Sequence, residues 1–508
     1  MFEGQPKGLY ALALANTGER FGYYTMLAIF TLFLQAKFGY TATETSTIFA
    51  SFLGFVYFMP LVGGILADKF GYGKMVTIGI IVMFAGYLFL SVPLGGGTVA
   101  FIAMLAALFL ISFGTGLFKG NLQVMVGNLY DTPELAGKRD SAFSIFYMAI
   151  NIGALFAPTA AVRIKEWAET SLGYAGNDAY HFSFAVACVS LIVSMAIYYA
   201  FRSTFKHVEG GERKKDKGTE TAVEELTPQQ TKERIVALCL VFAVVIFFWM
   251  AFHQNGLTLT YFADEFVNPT SSGIQSMAFD VVNLVMIVFM VYSLMAFFQG
   301  KTPKAKSISA VVFLFALGIL VYKYNNISGT VSVSAPIFQQ FNPFYVVALT
   351  PISMAIFSSL AAKGKEPSAP RKIAYGMIVA GSAYFLMVMA SQGLLTPVGQ
   401  KMAKAAGETV PYASANWLIG TYLILTFGEL LLSPMGISFV SKVAPPKYKG
   451  AMMGGWFVAT AIGNLLVSVG GYLWGGLSLT VVWSVFIVLC LLSAAFMFLM
   501  MKRLEKVA

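Results

Sequence analysis

Apolar residues follow one another along this chain in long stretches, which short polar segments separate. Fourteen of these stretches reach about 18 residues or more, the length that an apolar helix needs to cross a membrane. They cover residues 9–34, 44–66, 75–93, 99–128, 141–162, 181–201, 235–261, 279–299, 307–325, 343–362, 373–391, 415–437, 451–474 and 479–501. The pattern therefore predicts an all-α polytopic membrane protein with 14 transmembrane helices.

The longest polar segment, residues 202–234, separates six of the predicted helices from the other eight. Its many charged residues indicate a solvated cytoplasmic linker. The predicted domains are an N-terminal six-helix bundle (1–201), the linker (202–234), a seventh helix with an outer loop (235–278), an inserted helical hairpin (279–325) and the rest of the C-terminal bundle (326–508). Two six-helix bundles are the arrangement of major facilitator transporters. The loop "GGILADKFGYGK" at 63–74 also resembles the signature of that superfamily.

The composition excludes a soluble enzyme. Of the 508 residues, 57% are hydrophobic and 11% are charged, whereas soluble proteins have about 25% charged residues. With a cytoplasmic N-terminus, 26 Lys and Arg residues lie in cytoplasmic segments and 6 in outer segments. This excess predicts that both termini are cytoplasmic, and it explains the net charge of +10 without a nucleic-acid partner. The three cysteines lie in apolar stretches without metal-ligand spacing, so we expect neither a metal site nor an organic cofactor.

Charged residues inside the predicted helices mark candidate functional positions, because each costs about 2.5–3.5 kcal/mol at the membrane centre on insertion scales. The first stretch contains "NTGERFGYY", with Glu19 and Arg20 side by side. The fourth contains Lys119 in "GTGLFKGN", and the twelfth contains Glu429 in "FGELLLSP". Each charge has a structural alternative: a buried pair can simply hold helices together, and a lysine can extend to the membrane surface.

Six motifs in the predicted helices resemble those of the proton-dependent oligopeptide transporter family. They are "ERFGYY", the lysine at 119, "FYMAINIG", "FNPF" with Pro351 beyond it, "FGELLLSP" and "WFVATAIGN". The resemblance covers nearly the whole chain and implies the major facilitator fold. It also implies import of di- and tripeptides by alternating access, with protons as the coupling ion. The expected setting is the lipid bilayer of a plasma membrane or bacterial inner membrane, and the expected state is a monomer.

The chain departs from the family pattern at several positions. Asn16 stands where a second glutamate usually begins the first-helix motif, and Leu27 where an arginine usually follows the tyrosines. Animal members have a histidine where this chain has Ala50. The two extra helices follow the seventh helix, although in bacterial members they usually lie in the central linker. These departures affect the expected proton stoichiometry and the expected salt bridge at the outer gate.

The resemblance and the charges together assign a candidate site for a zwitterionic peptide. Its two charged ends lie roughly 5–10 Å apart at about 3.5 Å per residue, so the site needs a cation near one end and an anion near the other. The expected roles are proton coupling by Glu19, Arg20, Lys119 and Glu429, binding of the peptide carboxylate by Arg20 and Lys119, binding of the amine and backbone by Asn151, Asn342 and Glu429, and pocket lining by Tyr23, Tyr24, Tyr57, Tyr147, Gln254, Ser433 and Trp456.

Proton coupling requires a group whose charge can change. We expect Glu19 to stay ionised beside a cation and to accept a proton when Arg20 or Lys119 turns to the peptide carboxylate. His253 is a second candidate, since imidazole titrates near neutral pH, although a lone histidine on a helix is more often structural.

Two other functions remain open at this stage. The first is a related symporter for a non-peptide ligand such as nitrate, another small anion or a drug; Glu429 disfavours a simple anion, which it would repel. The second is a non-transporting membrane sensor or an enzyme. No metal-ligand cluster, nucleophile motif or phosphate-binding loop in the sequence supports an enzyme.

Overall fold

The computed structural model describes residues 4–135, 138–210, 226–327, 329–445 and 448–507, and these residues are almost entirely helical. The helices are α1 (Lys7–Phe38), α2 (Ala42–Phe70), α3 (Tyr72–Ser91), α4 (Thr98–Asn128), α5 (Arg139–Thr170), α6 (Gly176–Ala200), α7 (Pro228–Phe252), α8 (Thr258–Phe266), α9 (Gly273–Ser276), α10 (Val281–Gln299), α11 (Pro303–Asn325), α12 (Phe341–Ala362), α13 (Ala369–Ala390), α14 (Pro397–Ala405), α15 (Ala415–Val443), α16 (Lys449–Leu465), α17 (Ser468–Leu473) and α18 (Leu479–Glu505). Within the same part of the chain, β1 (Thr270–Ser272) pairs antiparallel with β2 (Thr330–Ser332).

The predicted all-α membrane class is confirmed. Within the described residues, 13 helical segments are long and apolar enough to cross a membrane. Helix α1 is not among them, yet its 32 residues extend about 48 Å at about 1.5 Å per residue. Glu19 and Arg20 lie near its middle. Each of the 14 predicted stretches therefore contains helix.

Local capping fixes where two long helices begin. The Thr41 hydroxyl accepts a hydrogen bond from the Glu44 amide, and the Glu44 carboxylate accepts one from the Thr41 amide, which forms a capping box at the start of α2. Thr227 and Gln230 form the same arrangement at the start of α7, with Pro228 at the first helical position. Because of this cap, α7 begins before residue 235, where the apolar stretch begins.

Two predicted stretches are interrupted helices in the structure. The stretch 235–261 contains the end of α7 at Phe252, a 3₁₀ turn at His253–Gly256, and then α8. The stretch 451–474 is divided between α16 and α17. Hydropathy alone did not predict these breaks, because the apolar residues continue through both. Interrupted helices inside a membrane leave backbone groups that need polar partners, and transporters use such breaks near binding sites.

The chain forms two compact units. The first consists of Met1–His253, Ile437–Tyr472 and Lys502–Ala508, and the second of Gln254–Gly436 and Leu473–Met501. The predicted domain boundaries, which follow chain order, remain a prediction.

Glycines allow close helix crossings in the first unit. A Cβ atom on Gly63 of α2 would lie 2.1 Å from the carbonyl oxygen of Gly116 on α4. A Cβ on Gly463 of α16 would lie 2.5 Å from the carbonyl oxygen of Ile246 on α7. Helix α16 therefore packs directly on α7, and α4 on α2, at distances that any side chain at these glycines would prevent.

Aromatic residues form part of the core of the second unit. The Trp483 indole donates a hydrogen bond of 2.9 Å to the Ser391 hydroxyl. Its ring stacks on Tyr384 at a centroid distance of 6.0 Å and meets Trp474 edge-on at 5.9 Å. The buried indole N–H of Trp483 therefore has a hydrogen-bond partner, as a buried tryptophan requires.

The inserted hairpin consists of α10 and α11. Asp280 accepts a hydrogen bond of 2.9 Å from the Val282 amide and so caps α10, and its carboxylate also forms an ion pair with Lys323 in the last turn of α11. The Tyr292 hydroxyl of α10 donates to the Val347 carbonyl of α12 at 3.1 Å. The sequence motifs do not explain Asp280. In the structure it connects the start of α10 to the end of α11.

The described part of the predicted linker packs back onto the first unit, whereas residues 211–225 lie outside the described residues. The Glu209 carboxylate accepts hydrogen bonds from Arg202, the shortest at 2.8 Å, and from the Tyr198 hydroxyl at 3.0 Å. Its carbonyl oxygen accepts from the Gly73 amide at the start of α3 at 3.1 Å. The hydrogen bonds between the Glu209 carboxylate and Arg202, together with their charge attraction, raise the pKa of the Arg202 guanidinium. The first residues after α6 are therefore attached to the end of the bundle.

Candidate functional site

Glu19 and Arg20 form a buried, two-point ion pair on α1. Their side chains are 0% and 2% exposed, and two guanidinium nitrogens donate to the two carboxylate oxygens at 2.5 Å each. The guanidinium carbon also lies 4.5 Å from the centre of the Tyr23 ring. A buried charge is tolerated only with good pairing, and this pairing engages both charges with each other. Arg20 is therefore the direct partner of Glu19.

Lys119 of α4 lies beside this pair and has a different partner. Its ammonium lies 4.6 Å from the centre of the Tyr57 ring. It also interacts electrostatically with the charges of Glu19 and Arg20. Among the described residues no carboxylate forms an ion pair with it, so a cation–π contact is its main stabilisation. The close crossing at Gly116, one turn earlier on α4, brings it to α2.

The predicted tyrosines occupy different environments. Tyr23 is 3% exposed and meets Tyr24 edge-on at 5.2 Å, and its buried hydroxyl has no hydrogen-bond partner among the described residues. Tyr24 and Tyr57 are half-buried. Tyr147 of α5 is 41% exposed, and its carbonyl accepts a hydrogen bond from the buried Asn151 amide at 3.0 Å. The structure thus groups Tyr23, Tyr24 and Tyr57 with the charges, whereas lining by Tyr147 stays a prediction.

Glu429 and Asn342 meet in the second unit. The Asn342 amide of α12 donates to the Glu429 carboxylate of α15 at 2.9 Å and to the Thr426 hydroxyl, one turn earlier on α15, at 3.0 Å. Glu429 is 8% exposed. The structure therefore brings together two of the three residues that were assigned to the peptide amine.

Three further predicted lining residues have less direct evidence. Gln254, at the break before α8, is fully buried and accepts a hydrogen bond of 2.8 Å from the Thr258 hydroxyl. Ser433 is half-buried next to Pro434 inside α15. Trp456 of α16 is 3% exposed and belongs to the first unit, whereas Glu429 belongs to the second. Their lining role stays a prediction.

A cluster of buried polar residues around His253 is larger than the motifs suggested. The His253 ring stacks on Trp249 at 5.2 Å and lies 5.8 Å from the Tyr57 ring. The amide of Asn464, which is 0% exposed, lies beside it. Asn464 ends the motif "WFVATAIGN", so the motif was visible in the sequence, but its asparagine was not distinguished from residues that only pack.

Two acidic residues, Asp264 and Glu265, lie on α8, after the break that ends α7. Glu265 of α8 is 7% exposed, forms an ion pair of 3.1 Å with Lys401 and accepts a hydrogen bond of 3.3 Å from the Trp474 indole. Asp264 is exposed. The cation paired with Glu265 is therefore Lys401 of α14.

No group of three or more His, Cys, Asp and Glu side chains that could hold a metal ion occurs in the described ranges.

Comparison with known proteins agrees with this architecture. A profile of the POT family matches residues 73–221 and 308–471. The chain is 27% identical over 488 residues to dipeptide and tripeptide permease A of Citrobacter koseri, covering 93% of this chain and 84% of that protein. It is 27% identical over 492 residues to the di-/tripeptide transporter of Lactococcus lactis subsp. cremoris, covering 90% of this chain and 87% of that protein.

Solved structures share the fold. The crystal structure of a POT family transporter in complex with 5-aminolevulinic acid has a TM-score of 0.74 at 19% identity and covers 99% of this chain and 98% of its own. That of peptide transporter POT in complex with sulfate has a TM-score of 0.73 at 21% identity, with coverages of 100% and 96%.

The helices, the buried charges and these likenesses define a multi-pass membrane transporter with the major facilitator fold. The chain belongs to the POT family, which confirms the family predicted from its motifs.

Proposed function

We propose that this protein is a proton-coupled symporter that imports di- and tripeptides by alternating access. Membership of the POT family supports this proposal, as do the names of the relatives from Citrobacter koseri and Lactococcus lactis, which describe di- and tripeptide transport. The protein acts as a monomer in a plasma membrane or bacterial inner membrane, with both termini in the cytoplasm. The excess of Lys and Arg in alternate loops supports this orientation.

The observation that carries the proposal is that Lys119 contacts an aromatic ring and forms no ion pair among the described residues. Its ammonium is held in the helix bundle over Tyr57 without an ion pair among the described residues. A half-buried cation inside a helix bundle is costly without an anion, so a site that keeps one gains from an anionic group of its ligand. The carboxylate end of a peptide is such a group, and Lys119 binds it with Arg20 nearby.

The other end of the peptide is assigned to Glu429. Its carboxylate is oriented by the Asn342 amide at 2.9 Å, and a peptide ammonium gains a charge-assisted hydrogen bond from it. Asn342 and Asn151 offer amide groups that bond an amine or a peptide carbonyl. Recognition of backbone and termini alone makes the site tolerant of many side chains.

Proton coupling is assigned to competition for Arg20. The two-point contact pairs the Glu19 carboxylate with the Arg20 guanidinium. When Arg20 turns toward a bound carboxylate, Glu19 loses its partner in a buried place and binds a proton instead. Peptide and proton then move together, and Arg20, rather than Lys119, is the cation that must leave Glu19.

The test is uptake of a radiolabelled dipeptide by proteoliposomes that contain the purified protein. We expect accumulation above the external concentration with an inward proton gradient and only equilibration when an ionophore removes the gradient. Unlabelled di- and tripeptides compete, whereas nitrate and single amino acids do not. Competition by a non-peptide ligand without competition by dipeptides would assign the protein to a symporter of another substrate class.

A further inference from the structure

A buried histidine joins two helix ends of the first unit, and the proposed peptide and proton roles do not use it. His181 lies in the second turn of α6 and is 6% exposed. Its Nδ1–H donates a hydrogen bond of 2.5 Å to the carbonyl oxygen of Leu90, in the last turn of α3. A carbonyl oxygen can only accept, so the neutral ring has its hydrogen on Nδ1 and a lone pair on Nε2.

The second ring nitrogen of His181 is enclosed but has no partner. Nε2 forms no hydrogen bond among the described residues. The ring lines a cavity of about 20 Å³ together with Lys37 of α1 and Met104 of α4, and a cavity of this size holds about one water molecule. The Phe33 ring meets the imidazole edge-on at a centroid distance of 5.5 Å. Buried polar atoms nearly always have a partner, so this exception requires an explanation.

An ion pair between α1 and α6 lies beside this ring. The Lys37 ammonium, in the last turn of α1, pairs with the Asp178 carboxylate, in the first turn of α6. Among the described residues, these are the two charged groups that act on His181. The residues that α3 and α4 contribute to the cavity are uncharged, and Lys165 and Glu169 of α5 pair with each other.

We propose that His181 is a pH sensor, and that its protonation at Nε2 weakens the Lys37–Asp178 ion pair and loosens the end of α1 from α6. An N–H bond forms at Nε2 as an O–H bond of a hydronium ion breaks, and the proton reaches the ring through a water molecule in the cavity. The charged ring repels the Lys37 ammonium. It also attracts the Asp178 carboxylate, which lies three residues earlier on the same helix face. Asp178 is then shared between two cations, and Lys37 is held less tightly.

The direction of the pH effect follows from burial. A second charge in an enclosed place is costly, so the charged ring is favoured when the helix ends separate and water enters. The contact is therefore intact at neutral pH and is lost as the pH falls through the imidazole range, at or below about pH 6.5. In the orientation proposed above, α1 ends on the outer side of the membrane, so the sensor responds to external acid.

The experiment measures backbone hydrogen exchange of the full-length protein in detergent, by mass spectrometry of peptides from the end of α1 and the start of α6. Wild type and His181→Gln are compared at the same pH, which cancels the intrinsic pH dependence of exchange. Glutamine can donate to the Leu90 carbonyl but does not take up a proton. Between about pH 7.5 and about pH 5.5, on either side of the imidazole range, we expect protection in the wild type to fall relative to His181→Gln. The expected fall is about fivefold, the equilibrium factor of one partly exposed ion pair.

Two further variants complete the test. His207→Gln changes an exposed histidine after α6 and responds to pH as the wild type does. Asp178→Asn removes the ion pair, so exchange is fast at both pH values and adding His181→Gln changes nothing further.

Equal pH responses of the wild type and His181→Gln overturn the proposal. A pH response that persists in Asp178→Asn also overturns it, and this outcome decides the question if His181→Gln does not fold. The exchange measurement requires no transport, so failure of the wild type to accumulate a dipeptide refutes the proposed function without changing this result.

Discussion

Lys119 is the residue whose replacement tests the site most directly. We predict that Lys119→Ala abolishes gradient-driven uptake, because the ammonium over Tyr57 is the cation offered to the peptide carboxylate. A lost charge-assisted contact of about 1.5–3 kcal/mol weakens binding by about tenfold or more. Lys119→Arg also fails largely, since a planar guanidinium does not replace a compact ammonium.

The measurement for both Lys119 variants is concentrative dipeptide uptake. Lys363→Ala, which changes an exposed lysine after α12, is the matched control and transports as the wild type does. Substantial accumulation by Lys119→Ala would remove Lys119 from the coupling.

Glu429 is predicted to recognise the amino group of the peptide. Its carboxylate is buried and oriented by Asn342, so an ammonium gains more from it than a neutral acetylated amine does. N-acetylated dipeptides should compete poorly with free dipeptides in the wild type, and Glu429→Gln should remove this preference. Equal discrimination by the wild type and Glu429→Gln in a competition assay would exclude this assignment.

Sequence could identify the charged residues of the site but not all of their partners. Glu19 and Arg20 are adjacent, so their pairing follows from the local sequence. Asn342 and Glu429 lie 87 positions apart, and only packing of α12 on α15 brings them together. Lys119 is predicted to serve both Glu19 and the peptide carboxylate, which stays a prediction; its contact with Tyr57, 62 positions earlier in the chain, could not be predicted from local sequence.

At the scale of helices, neighbouring glycines of α2 provide a matched pair of variants. A Cβ on Gly63 would lie 2.1 Å from the Gly116 carbonyl, whereas nothing lies within 4 Å of a Cβ on Gly64. Gly63→Ala should therefore destabilise the protein by about 1–3 kcal/mol or more, as overpacking does. It should also reduce uptake, because α4 carries Lys119.

Gly64→Ala should be neutral or stabilising by up to about 1 kcal/mol, since alanine favours a helix. Thermal unfolding of both variants in detergent checks these signs. Equal effects of the two substitutions would show that the crossing of α2 and α4 is not tight.

The hairpin of α10 and α11 permits the cap and the ion pair of Asp280 to be separated. Asp280→Asn keeps a good capping residue but loses the ion pair with Lys323, so we expect a loss of at most about 1 kcal/mol. Asp280→Ala also loses the cap, for a further loss of about 0.5–2 kcal/mol. Unfolding temperatures in detergent should rank wild type, Asn and Ala in that order. If Asn and Ala variants unfold at the same temperature, the cap contributes nothing.

Helix existence was predictable, whereas helix interruption was not. Membrane thickness imposes long apolar stretches, and all 14 stretches contain helix. The turn at His253–Gly256 lies inside one of these stretches, where hydropathy is unchanged. Helix α14 and the strands β1 and β2 are short elements between the long helices, and they have no periodic pattern of sufficient length.

At the scale of the whole molecule, the sequence predicts the fold class and the family because both follow from features spread along the chain. The charge of the loops and the order of the motifs can be read from the sequence without knowing which helices are in contact. The grouping of helices is different: Ile437–Tyr472 belongs to the same compact unit as Met1–His253. That grouping depends on crossings such as Gly463 against Ile246, which no local pattern reveals.

Closure of the outer mouth during alternating access is predicted to depend on apolar packing and little on salt. Leu27 is 9% exposed and cannot form an ion pair. Glu265 is already held by Lys401 and Trp474. A single partly exposed ion pair is worth at most about 1 kcal/mol, so the replacement of arginine by leucine shifts the conformational balance without stopping the cycle.

The test of this closure uses Thr31→Cys in a background without the three native cysteines. Thr31 is fully buried on α1, so a reagent added from outside labels this position only when the mouth opens. The labelling rate should stay nearly constant from low to high ionic strength, because apolar contacts are not screened by salt. Adding Leu27→Ala should raise the rate at every ionic strength, since the smaller side chain weakens the packing. A labelling rate that rises steeply with salt would show that an ion pair closes the mouth, and Leu27 would then have no part in closing it.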